Sequence, residues 1–433
     1  MNSDTSLFKK FIGTAGLKVV NKAILVVSGV ILARYLGPEQ YGLYSYVLSI
    51  IALATIPVIA GLPQLLVREI AYTELYKKVD ELKGLLNWAT IYTLSVSILV
   101  VIGIMIYLSF GIGGESTTEL MWIALFVIPL KGLLLKNESV LVGHRFPVMA
   151  QLADGIVAPL LTLVMLSLLI ANNKILTGVI SMRVIVISLF SAAIFSLIIN
   201  RKTVKSNLNK ITAKYNIFKW HRAMLPFTLL VLVTSLNNEL ASVMLGYIVD
   251  KESVAFYRVA MQGVGLIALT LQAINMVTGP KILRLYKKNE HEATQLLIRK
   301  SVKLSCMFSL PIALTLIIFG EWIIVFMFGD EYLSSVKILR VLCIGQIFNV
   351  LMGSVGLVSN MTGHENRTLR YTTLAMLVNV MLLLILIPVY QEIGAAIAVS
   401  ISMVLWNVTM AIDVYRVTRL KTWLLNRGPR CVK

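Results

Sequence analysis

Apolar residues run in long blocks along this chain, and polar residues collect in short clusters between them. A helix needs about 20 mainly apolar residues to cross a bilayer. Windows of that kind fall near residues 14–35, 42–61, 86–110, 119–138, 150–171 and 176–199. A polar, basic stretch from Asn200 to Arg222 breaks the pattern. Six further windows follow near 223–248, 255–278, 301–320, 336–359, 371–389 and 393–415. Isolated apolar segments satisfy their backbone groups in lipid only as helices. The pattern therefore predicts an all-α polytopic membrane protein with about twelve transmembrane helices. Residues 1–200 and 223–415 form two six-helix lobes, joined by a basic linker at 201–222 and followed by a basic tail at 416–433. The polar stretch Met1 to Gly13 precedes an apolar segment too long for a signal-peptide core, so the first span is expected to stay uncleaved.

Composition points the same way. Of 433 residues, 58% are hydrophobic and 14% charged, whereas a soluble domain has about 25% charged residues. The net charge of +19 would suggest nucleic acid in a soluble chain, but its placement excludes that partner. The cations gather in alternate loops: Arg68, Lys77, Lys78 and Lys83, then Lys136 and Arg145, then the linker, then Lys281 to Lys303, then the tail. The intervening loops carry Glu115, Asp250, Glu252, Asp330, Glu331 and Glu392 with few cations. Positive loops remain on the cytoplasmic side, so both termini are expected there, in a plasma or inner membrane. Cys306, Cys343 and Cys431 have no metal-ligand spacing. The four histidines, His144, His221, His291 and His364, fall in expected loops or span edges. No Walker loop, nucleophile elbow or dinucleotide fingerprint is present. No cofactor or metal is expected, and the chain reads as a transporter before an enzyme.

The two halves resemble each other. An ungapped shift of 213 positions lays Leu32 on Leu245, Glu39 on Glu252, Tyr44 on Tyr257 and Arg68 on Lys281. Slightly larger shifts lay Phe110-Gly111 on Phe328-Gly329 and Gly143-His144 on Gly363-His364. Six spans per half make the repeats parallel, related by an axis along the membrane normal. Such a duplication points to alternating access around a cavity between lobes.

The segment Leu32-Ala33-Arg34-Tyr35-Leu36-Gly37-Pro38-Glu39-Gln40-Tyr41-Gly42-Leu43-Tyr44 resembles the first loop of polysaccharide and O-antigen flippases, within the multidrug/oligosaccharidyl-lipid/polysaccharide exporter superfamily. Further islands occur in the family's order: Leu66-Val67-Arg68-Glu69-Ile70-Ala71, Val243-Met244-Leu245-Gly246-Tyr247, Phe328-Gly329-Asp330-Glu331-Tyr332, Ile338-Leu339-Arg340 and Thr362-Gly363-His364-Glu365. The resemblance implies a V-shaped exporter with a cationic cavity, moving a lipid-linked oligosaccharide on a polyprenyl pyrophosphate between leaflets. Membrane lipids and glycan-assembly proteins are the implied partners. Many relatives place an acid three positions before the Met-Leu-Gly of the seventh span, where this chain has Ala241. The nearest acid is Glu239.

An ionisable group at mid-bilayer is costly and normally faces a cavity or a partner. Lys18 and Lys22 share one face of the first span beside Asn21, a cationic strip suited to a pyrophosphate. The alternative is that both amines snorkel to headgroups. Arg258, with Gln262 one turn on, is a second candidate for the pyrophosphate, or else an interfacial anchor. Glu239 lies nine residues, about 13 Å, from the outer end of its helix, among Ser235, Asn237, Asn238 and Ser242. It is a candidate for ion coupling or a structural ion pair with Arg183 or Arg258. Asp154 and Arg183 raise the same question. Pro57, Pro129, Pro159, Pro226 and Pro311 mark kinks or hinges. The rival readings are an ion-coupled multidrug exporter of the same superfamily and a membrane-embedded glycan polymerase or ligase.

Overall fold

A computed structural model of the chain describes residues 2–59, 61–110, 114–203 and 212–424, with side chains described from Gly16 onward. Every regular element among them is helical. Ten helical tracts among the described residues are long and apolar enough to cross a membrane. Two of the ten, Gly16–Leu75 and Glu365–Thr418, have 60 and 54 residues. Each is long enough for two crossings at about 1.5 Å per residue, and each holds two of the expected windows. The break between the two windows of the first is at Gly37, with φ 70° and ψ 170°, and a second break at Gly61, with φ 75°, precedes α2. The break inside the second is Gln391, at φ 51° and ψ −129°. The loops expected at these points are thus nearly absent, because one residue in a rare backbone region reverses the chain.

The chain divides into two compact units, one comprising residues up to Leu36 and Leu43–Glu239, the other Gly37–Gly42 and the residues from Leu240. The first unit contains α1 (Asn2–Ile59) except its Gly37–Gly42 segment, then α2 (Leu62–Leu75), α3 (Val79–Ser109), α4 (Glu115–Ala124) and α5 (Val127–Gly143). It continues through α6 (Pro147–Leu152), a π turn at Ala153–Val157, α7 (Ala158–Ala171), α8 (Gly178–Thr203) and most of α9 (Ile217–Ile248). Helix α5 is its axis and packs against α2, α3 and α8. Small residues permit the approach: a Cβ on Gly132 would lie 2.6 Å from Val58 Cγ1 and 2.9 Å from Thr93 Cγ2. Polar clasps close the α5–α8 seam, where Asn137 Nδ2 donates to Ser196 Oγ at 2.8 Å and Asn200 Nδ2 to the Asn137 carbonyl at 3.2 Å. Such bonds hold helices together where both sides of the seam are apolar.

The second half of the expected linker is anchored to this unit. Lys214 donates its backbone N–H to Asp80, and its amine lies 3.5 Å from Glu81. The Lys219 amine lies 3.3 Å from Glu69. Trp220 then packs on Trp88, with ring centroids 5.2 Å apart, in a core that includes Leu62, Leu66, Ile70, Leu85 and Met224. Lys205, Lys210, Gly111 and Cys431 lie outside the described residues.

The second unit holds the end of α9, α10 (Lys251–Lys287), α11 (His291–Ile318), α12 (Gly320–Phe328), a 3-10 turn at Asp330–Tyr332, α13 (Ser335–Met352), α14 (Val355–Met361) and α15 (Glu365–Thr418). Helix α13 packs against α10, α11 and α15. Gly345 abuts Ser400, whose hydroxyl donates to the Val341 carbonyl at 3.2 Å. The start of the expected tail is fixed as well: Gln295 bonds both the N–H and the carbonyl of Lys421 at 2.8 Å. Positions paired by the 213-residue shift have matching burial, Leu32 with Leu245 and Tyr44 with Tyr257, all inside their own units.

A Cβ on Gly42 would overlap the Lys251 carbonyl, whereas Gly103 has open space around it. Gly42→Val is expected to destabilise the protein by about 1–3 kcal/mol through overpacking. Gly103→Ala is expected to leave stability unchanged or slightly higher. Thermal melting in detergent, read as the surviving monodisperse fraction, checks both.

Candidate functional site

The charged groups of the first unit converge where α1, α5 and the π turn meet. Helix α5 carries Lys131 and Glu138, seven residues and two turns apart, hence on one face. The Lys131 amine lies 2.6 Å from Asp154 Oδ1, a charge-assisted hydrogen bond. Both side chains keep partial exposure, 36% for Lys131 and 23% for Asp154. Glu138 lies within electrostatic reach of Asp154, Lys18 and Lys131. Asp154 belongs to the π turn, in which the Ala158 N–H reaches back to the Ala153 carbonyl. A wide turn of this kind is uncommon and often marks a working part of a helix. The next residue, Gly155, has no Cβ, and Asn21 of α1 sits 3.2 Å from where that atom would be. Two amines, two carboxylates and a carboxamide thus share one corner inside apolar spans.

Of the residues singled out from sequence, Lys18, Lys22, Asp154, Arg183 and Glu239 belong to the first unit, Arg258 and Gln262 to the second. Lys18 is exposed on α1, and Lys22 and Asn21 are half-buried. Lys18 and Asp154 both lie within electrostatic reach of Glu138. Arg183 is exposed on α8. Glu239 is half-buried and is the last residue of the first unit, with Ser242 fully buried one turn on. Arg258 is half-buried on α10. The Gln262 carboxamide donates to Tyr41 Oη at 2.7 Å. Tyr41 in turn stands edge-on to Tyr332, with ring centroids 6.4 Å apart, and Phe256 and Phe328 pack on Tyr332 as well. Burial drives the Tyr332 phenol well above its usual range.

Three ionisable residues on α5 differ from expectation. Lys136, expected in a loop after the fourth span, lies inside α5 and donates to Thr90 Oγ1 at 3.1 Å. The helix runs on to Gly143, five residues beyond the apolar window, and a hydroxyl on α3 satisfies the Lys136 amine within it. Lys131 and Glu138 drew no attention in sequence, since one cation and one acid scarcely alter a 20-residue hydropathy average. The spacing of seven between them was the available signal. A further ion pair, near the two ends of α15, joins Arg367 Nη1 to Asp413 Oδ1 at 2.7 Å, with Tyr371 Oη donating to the same oxygen at 3.1 Å. Among the described residues, no group of three His, Cys, Asp or Glu side chains is placed to hold a metal ion.

The long apolar tracts and their internally paired charges define a multi-pass membrane protein. The fold resembles that of solved membrane proteins: an inward-facing multidrug resistance MATE family transporter of the MOP superfamily matches with a TM-score of 0.75 at 15% identity, over 94% of this chain and 98% of that one. The lipid II flippase MurJ, in an inward closed conformation, matches equally well, with a TM-score of 0.75 at 17% identity over 93% of this chain and 87% of that one. Residues 31–337 match the family described as "Polysaccharide biosynthesis protein", and the chain belongs to that family. The probable low-salt glycan biosynthesis flippase Agl15 of Haloferax volcanii is 23% identical over 206 residues. That stretch is 46% of this chain and 44% of the relative, so less than half of the relative's length is matched.

Removing one partner of the Lys131–Asp154 pair leaves a lone charge inside an apolar span. Lys131→Met is expected to cost about 1–2 kcal/mol, reduced from the fully buried case by partial exposure. Lys131→Met combined with Asp154→Leu is expected to recover most of that loss, as a double-mutant cycle on melting temperature would read.

Proposed function

We propose that this protein is a flippase that moves a lipid-linked oligosaccharide, carried on a polyprenyl diphosphate, from the inner to the outer leaflet for assembly of a surface polysaccharide. What supports the reading is a set of amines inside apolar spans, Lys18, Lys22 and Lys131, in a chain of a polysaccharide biosynthesis family. A diphosphate is the densest negative charge on such a substrate, and ammonium groups in a low-dielectric setting attract it strongly. Lys22 and Arg258 are each a candidate cation for that headgroup, while the prenyl chain stays in lipid. Lys18 and Gln262 add to the same binding. The name of the Haloferax relative, a flippase, points the same way. The likenesses to the MATE transporter and to MurJ extend to the fold alone, so neither decides between drug export and flipping.

The protein works in the cytoplasmic membrane with both termini inside, because the cations of its loops gather on one side. The transport cycle is alternating access between the two halves of the repeat. Glu239 couples an ion to that cycle, with Asp154 and Arg183 as the further candidates. Its distance from the outer end of the helix and its Asn and Ser neighbours suit a carboxylate that binds a cation within a span.

In host cells lacking this protein, the lipid-linked glycan is expected to accumulate on the inner leaflet. Wild type restores its export, whereas Lys22→Ala or Arg258→Ala lowers the rate by at least about tenfold, the loss of one charge-assisted contact. Leaflet-resolved labelling of the glycan reads the outcome. An unchanged distribution in the deleted strain overturns the flippase reading.

A further inference from the structure

Resting on that reading, we propose that Lys131 is a further substrate-binding cation, held in the unloaded protein by Asp154, whose carboxylate stands in for the diphosphate and yields to it. Four observations carry this. Lys131 and Asp154 are in direct contact at 2.6 Å, and both remain partly open to a ligand. A pair serving stability alone has no need of such exposure, since apolar residues of similar volume generally do as well or better. Asp154 is presented by a π turn, a local deviation that a purely apolar contact would not require. Two amines and two acids meet in this corner of the first unit, Lys18 and Lys131 with Glu138 and Asp154, and Lys22 follows Lys18 one turn along α1. Finally, Asn21 sits against Gly155, so α1, with its two lysines, is in register with the turn that bears Asp154.

The exchange has a selective consequence. A single carboxylate competes well against a monoanion but poorly against a group with two or more negative charges, because attraction to the amine grows with ligand charge. Asp154 therefore raises the threshold for entry. A polyprenyl diphosphate displaces it, and a polyprenyl monophosphate or an anionic phospholipid headgroup does so much less. In the resting state the same contact keeps the Lys131 amine from binding abundant bilayer phosphates. Once the diphosphate leaves, Asp154 recaptures Lys131 and helps the product go.

The test is equilibrium binding of a long-chain polyprenyl diphosphate and the matching monophosphate to the full-length protein in nanodiscs of neutral lipid. Wild type should prefer the diphosphate by about tenfold or more, equivalent to about 1.4 kcal/mol. Asp154→Asn should tighten both ligands, the monophosphate more, so that the preference shrinks. Asp154→Glu, which keeps the charge, should stay near wild type. Lys131→Met should weaken diphosphate binding about tenfold, and adding Asp154→Asn to it should produce no tightening. Asp154→Asn that weakens binding or leaves it unchanged, in protein whose melting shows it folded, overturns this inference while the flippase reading stands. Wild type that binds neither ligand overturns both.

Discussion

A charge inside an apolar span must find an opposite charge, a hydrogen bond or water, and the interior of this protein is organised by that requirement. Leaving such a group bare costs several kcal/mol, more than most single packing contacts contribute. The seams of the bundle follow from it. Lys131 reaches Asp154, Lys136 reaches Thr90, and Arg367 reaches Asp413, which also accepts from Tyr371. Asn137 and Ser196 close α5 on α8 by the same logic. In a solvent where apolar contact between helices gains little over contact with lipid, these polar links fix which helices are neighbours. They also leave charges in places where a charged substrate can use them.

Most of the fold was legible in the pattern of apolar blocks. All twelve windows lie on helical tracts, and two pairs of windows join into single tracts, each with one residue, Gly37 or Gln391, marking the break between its windows. The continuity was not legible, because a one-residue reversal leaves the same polar signature as a short loop. The site was less visible. Lys18 and Lys22 announce themselves by their spacing on one face, and Asp154 by being an acid in an apolar run. Lys131, 23 residues before its partner, is connected to it only by folding. The π turn has no sequence signature at all. Lys136 was misplaced because a hydropathy average assigns a lysine near the end of a window to the loop, while a hydroxyl on another helix can hold it inside.

The islands of family resemblance gain a physical meaning in the second unit. Gly37 and Tyr41 come from the first island, and Glu331 and Tyr332 from another nearly 300 residues on. A Cβ on Gly37 would be 3.5 Å from Glu331 Oε2, and the two tyrosine rings meet edge to face. Gly42, at the end of the same reversal, lies against the Lys251 carbonyl. These motif residues are therefore held by packing and by the reversal of the chain. The cations proposed to read the substrate lie outside the first island, which separates what builds the fold from what binds. The linker adds a similar lesson: Lys214 and Lys219, cations of an apparently solvated tether, are ion-paired to Glu81 and Glu69.

The amines within these spans are proposed to bind the diphosphate of a lipid-linked glycan as it crosses the membrane. The most direct test is reconstitution of the purified protein into proteoliposomes with a fluorescent lipid-linked oligosaccharide, followed by quenching from the outside. Flipping brings the protected inner-leaflet fraction within reach of the quencher. Rapid loss of protection is expected with wild type and slow loss with Lys22→Ala, in vesicles that remain sealed. Equal rates for wild type and protein-free vesicles would contradict the proposal.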